Sequence, residues 1–119
     1  MRDYLIVIML LLPALTQAEI LGINDPTMTD DLVKLDQVMT TISSAVMGCM
    51  DQGKAHKECM CETKHLFAKF TETSNELFYK HPQLEGHDLI NFKNPEGILV
   101  NLSLEGVKKQ SAMEIACNK

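Results

Sequence analysis

The chain lacks a surplus of basic residues: 11 Lys and Arg stand against 16 Asp and Glu, a net charge of −5. Neutralising phosphates requires a basic face, so nucleic acid is not expected as a partner. Long apolar runs are missing too. The unbroken stretch Leu5 to Leu12 (LIVIMLLL) falls short of the roughly 20 residues that span a bilayer, so no stable membrane anchor is expected. Motifs of catalysis are also lacking: there is no Gly-rich phosphate loop, no HExxH and no Cys-x-x-Cys. His81 and His87 flank a Pro/Gly loop beside Glu85 and Asp88, but no activated nucleophile or oxyanion motif accompanies them. They read as exposed loop histidines, and the protein is expected not to be an enzyme and to need no cofactor. Internal repeats and low-complexity tracts are absent.

What is present begins with an export signal over residues 1–18. Arg2 supplies the positive start, Leu5 to Leu12 the apolar run, and Thr16-Gln17-Ala18 the small residues of a cleavage site. The mature chain is then expected to start at Glu19 in a secreted or periplasmic setting, with its charge unchanged because Arg2 and Asp3 leave together. Residues 19–119 bound one small domain, whose modest core would benefit from cross-links. Four cysteines on an exported chain fit a framework of two disulfides.

Asp25-Pro26 has the form of a helix start, with Asp as N-cap and Pro at the first helical position. From there Met28, Leu32, Leu35, Met39, Ile42, Val46 and Cys49 recur at alternating spacings of four and three, one apolar seam of a long first helix. Gly53 is its expected stop. A second helix is predicted from His56 to Lys80, with weak helix formers between Thr71 and Asn75 marking a kink, and Pro82 closing it. Leu89-Ile90-Asn91-Phe92 and Ile98 to Leu102 then flank the turn sequence Asn94-Pro95-Glu96-Gly97 and read as a β-hairpin. Its Ile90, Phe92, Ile98, Val100 and Leu102 side is expected to cover the helices. Ser103 is expected to cap a last helix reaching about Cys117. The fold class is therefore mainly α: an antiparallel helical hairpin, a small β-hairpin between helices 2 and 3, and a C-terminal helix, held by two disulfides. The apolar EILGIND start is expected to lie on this body as an arm.

Cys59 and Cys61 lie two apart, so on a helix they point about 200° away from each other. One can meet Cys49 on the first helix while the other meets Cys117. The expected pairing is Cys49–Cys59 with Cys61–Cys117, ahead of Cys49–Cys61 with Cys59–Cys117. A sharper reading of the same stretch is a soft-metal site of Cu(I) type, built from Met47, Cys49, Met50, His56, Cys59, Met60, Cys61 and His65. Disulfides are favoured over it, because paired cysteines are not thiolate ligands and methionine is a routine core filler. A third possibility is a carrier of small apolar ligands using Phe67, Phe70 and Phe78, weighed against those rings simply filling the core. Asn101-Leu102-Ser103 matches the N-glycosylation pattern. The expected activity is binding rather than catalysis, with a protein as the first expected partner.

Overall fold

A computed structural model of the chain describes residues 19–115 and residue 117. The export signal read over residues 1–18 lies outside the described residues. The protein is mainly helical, with α1 Pro26–Asp51, α2 His56–Glu62, α3 Lys64–Lys80 and α4 Leu104–Ala112. A 3-10 turn at Pro82–Leu84 follows α3, and β1 Ile20–Gly22, β2 Leu89–Lys93 and β3 Leu99–Ser103 form a small sheet.

α1 starts where the sequence places it. The Asp25 carboxylate accepts the Met28 N–H at 3.1 Å, satisfying one of the donors a helix start leaves open. Gly53, at φ 90°, ends the segment by donating its N–H to the Met50 carbonyl. Along the seam Met28, Leu32, Leu35 and Val38 are buried, whereas Met39 and Ile42 are half-buried. Phe70 and Leu77 of α3 pack against the buried part, together with Leu84, Ile90, Phe92, Leu104 and Val107.

The second predicted helix is two helices, and the break is not where it was expected. It falls at Thr63, whose hydroxyl donates to the Cys59 carbonyl at 2.9 Å and approaches that of Met60. Such back-bonding bends a helix, and here the residue sits at φ −102°, ψ 16° between α2 and α3. The Thr71–Asn75 stretch stays helical. Thr71 and Thr73 turn their hydroxyls onto the carbonyls four residues back, and Ser74 is buried between Phe70 and Leu77 on the core side.

The sheet is larger than a hairpin. β2 and β3 pair antiparallel, Ile90 opposite Leu102 and Phe92 opposite Val100, while β1 pairs parallel with β2 from Ile20↔Leu89 to Gly22↔Asn91. The segment expected to lie on the body as an arm is thus an edge strand of the sheet, and Ile23 N–H to the Asn91 carbonyl (2.9 Å) extends the pairing. Ile90 and Phe92 are buried and Val100 and Leu102 pack on the core, as the alternation predicts. Ile98 departs from it and is 56% exposed. Its N–H donates to the Asn94 side chain at 2.9 Å and its carbonyl accepts the Asn94 N–H at 3.0 Å, so Ile98 closes the turn instead of joining the ladder.

α4 is capped by Ser103, whose hydroxyl accepts the Gly106 N–H and donates to Asp88. Asp88 also accepts the N–H groups of Glu105, through its carboxylate, and Leu104, through its carbonyl. The helix ends at Ala112, earlier than expected. Thr71 donates to the Ser111 carbonyl at 3.2 Å, and Met113 turns extended so that the tail can reach Cys61.

The two halves of the α1 seam should differ in what they contribute. Leu35→Ala, at a fully buried position, should cost about 2–5 kcal/mol. Ile42→Ala, half-buried two turns further along, should cost about 1–2 kcal/mol because less apolar area is removed from water there. Urea unfolding of both variants measures this, and equal costs would contradict the difference in burial.

Candidate functional site

Two disulfides meet at α2. Cys49 at the end of α1 pairs with Cys59, and Cys61 pairs with Cys117, each pair with its Cα atoms 5.6 Å apart. Cys59 is fully buried and Cys61 half-buried, in keeping with the opposite directions two residues take on a helix. Nearby, the Lys54 ammonium meets the Glu62 carboxylate at 2.8 Å. That hydrogen bond, and then the charge of Glu62, raise the lysine above its ordinary pKa.

Beside this clasp lies a cleft of about 680 Å³, open to solvent. Met39, Ile42, Val46 and Met47 of α1 form one wall, and His56 and Met60 of α2 flank it. Phe67 and Phe70 come from α3, while Leu102, Val107 and Gln110 come from the β3–α4 side. Met113, just past α4, completes it. The volume lies within the usual range for small-molecule sites, and the apolar lining with a few polar side chains is the usual composition.

The eight side chains read from sequence as soft-metal ligands divide three ways. Cys49, Cys59 and Cys61 are disulfide sulfurs rather than thiolates. Met47, His56 and Met60 come together at the cleft. Met50 and His65 are exposed and do not line it. Among the described residues, no group of three or more His, Cys, Asp or Glu side chains is arranged to hold a metal ion. The three aromatic candidates also part company. Phe70 is buried and half-buried Phe67 lies beside it at the cleft, whereas Phe78 packs on the core with the Lys108 ammonium 5.0 Å from its ring centre.

His81 is not the exposed loop residue that the sequence suggests. It is buried, and its Nε2 lies 2.7 Å from the Asp31 carboxylate of α1. The pairing gives Asp31, in the early turns of α1, a partner fifty positions along the chain. His87 is exposed, Glu85 pairs with Lys108 at 2.9 Å, and Asp88 is occupied at the start of α4. Asn101 is exposed on β3. The sequence did not single out Met39, Val46, Val107 or Met113 as site residues. A usable signal existed for α1, since Met39, Ile42, Val46 and Met47 share a face at helical spacing.

Removing each disulfide should lower stability, and more for the longer loop, with the logarithm of its length. The pair Cys61→Ala/Cys117→Ala opens a separation of 56 residues and should cost about 4 kcal/mol. The pair Cys49→Ala/Cys59→Ala opens one of 10 and should cost about 2.5–3 kcal/mol. Denaturant unfolding of the two double variants checks the order, and indifference to both would deny the bonds a stabilising role. No protein-family model matches the chain, and neither a curated protein nor a solved structure matches it.

Proposed function

We propose that the protein is a small exported binding protein that carries apolar molecules in the cleft between α1, α3 and α4. The observation that carries this reading is the cleft itself: about 680 Å³ of open space in a small chain, lined by four methionines among aliphatic and aromatic side chains. A concave, largely apolar surface that the fold leaves open to solvent is one that a small apolar molecule can cover. Methionine suits the task, because its unbranched, polarisable thioether adapts to varied apolar shapes.

Binding is favoured over catalysis by the character of the lining. Among the described lining residues His56 is the one titratable side chain, and no nucleophile–base pair accompanies it. Export to an oxidising compartment, secreted or periplasmic, is supported by the two disulfides together with the apolar N-terminal segment. Among the described residues no helix is long and apolar enough to cross a membrane. On this reading residues 19–119 form one domain. Its helices α1 and α3 run antiparallel: Asp31 near the start of α1 meets His81 at the end of α3, and Cys49 near the end of α1 meets Cys59 just before α3. A protein partner remains compatible with the same face, but the volume of the cleft favours a small ligand.

Disulfide-intact mature protein should therefore take up an uncharged fluorescent probe such as phenylnaphthylamine. Met47→Asp places a charge at the cleft, on a side chain already 63% exposed, so folding should be spared. It should weaken probe binding about tenfold or more, a difference of about 1.4 kcal/mol. Met50→Asp, three residues on and away from the cleft, should leave binding unchanged. Absence of probe uptake, or an equal effect of the two substitutions, would count against the cleft.

A further inference from the structure

Asn101 is the only asparagine in the sequence that opens the pattern Asn-x-Ser/Thr, with Leu102 rather than a proline before Ser103. Its place on the sheet decides whether the folded protein has room for a glycan there. Val100 and Leu102, its neighbours on β3, pack on the core, so the alternation of a strand turns Asn101 to the opposite face. It is exposed, and its carboxamide makes no hydrogen bond among the described residues. Asn94 differs, since its side chain is taken up by the N–H groups of Glu96 and Ile98. Across the sheet Asn101 stands opposite half-buried Asn91, and Asn91 opposite exposed Gly22, which has no side chain. Leu99, two residues back on the same face, is exposed as well. β3 is also an outer strand of the sheet. The surroundings of Asn101 are therefore open to a bulky group.

We propose that Asn101 carries an N-linked glycan, attached during export and directed away from the core. This step rests on the export reading, because the oligosaccharide donor is met in a secretory compartment. In the transfer the Asn101 amide nitrogen bonds to the anomeric carbon of a lipid-pyrophosphate-linked oligosaccharide. The bond from that carbon to the pyrophosphate oxygen breaks, the lipid pyrophosphate leaves, and the amide nitrogen gives up one proton. The transferase reads the hydroxyl two residues on, which here belongs to Ser103. In the folded protein that hydroxyl accepts the Gly106 N–H and donates to Asp88 at 2.8 Å. One hydroxyl cannot serve both at once, so transfer belongs to the nascent chain, before α4 is capped. The sugar then stays on the solvent face while Ser103 turns to the helix.

Secretion of the full chain from cultured eukaryotic cells tests this. The secreted protein should outweigh its polypeptide by one glycan, and an amidase specific for N-linked glycans should remove the excess. Peptide mass mapping should then find aspartate in place of asparagine at position 101. Asn101→Gln, a change at an exposed side chain, should abolish the mass shift. Ser103→Thr keeps a hydroxyl for both the transferase and the helix cap, so it should retain the shift. The map decides by itself should either variant fail to leave the cell. Secreted protein of bare polypeptide mass would overturn the glycan and leave the export reading standing. A shift that survives Asn101→Gln, or is lost in Ser103→Thr, would overturn the assignment to this site. Failure of the unsubstituted chain to be secreted would overturn the export reading, and this one with it.

Discussion

The opposed directions of Cys59 and Cys61 on one short helix are the constraint on which the rest of the structure depends. α2 has seven residues, about two turns, which is too short to persist in water by its own hydrogen bonds. Its cysteines point to opposite sides, one to the end of α1 and the other to the tail beyond α4. Two segments far apart in sequence are thereby drawn to a single point. Helix propensity contributes little here; the covalent bonds supply the order, and the Lys54–Glu62 pair adds only what an exposed ion pair can.

This clasp also sets the walls of the cleft. Met47 lies two residues before Cys49, Met60 stands between Cys59 and Cys61, and Met113 lies four before Cys117. Each disulfide thus fixes the backbone beside a cleft methionine while leaving the thioether free to move. Rigid backbone and adaptable side chain are complementary properties in a binding site. The first reduces the ordering that binding would otherwise require, and the second lets one lining meet several shapes.

Much of the framework was legible because it rests on local chemistry. Asp25-Pro26, Gly53, the Asn94–Gly97 turn and the Ser103 cap each act within a few residues, and each appears where the pattern puts it. The departures arise where a distant partner decides. β1 is a strand because β2 offers it an edge, a pairing across α1, α2 and α3 that no local pattern announces. α4 stops early because Thr71 of α3 takes a carbonyl and the tail is tied to Cys61. His81 is buried because Asp31, fifty positions away, satisfies its ring nitrogen. The break at Thr63 is a subtler case. The weak helix formers around Thr71 looked more disruptive, yet burial of Phe70, Ser74 and Leu77 holds that stretch helical, and tertiary packing outweighs propensity.

The cleft was only partly legible, for a physical reason. An apolar seam at uniform helical spacing records which side of a helix avoids water, but not what covers that side. On α1 the pattern runs unbroken from Met28 to Cys49, and it reads equally well as core throughout. In the folded chain its first half is sealed by α3, the sheet and α4, while Met39, Ile42 and Val46 remain half-covered and Met47 is exposed. Apolar area that folding does not remove from water is still available for a ligand to remove, with the same favourable sign per unit area. The open half of the seam is therefore the same physical feature as the core, continued past the point where the chain covers it.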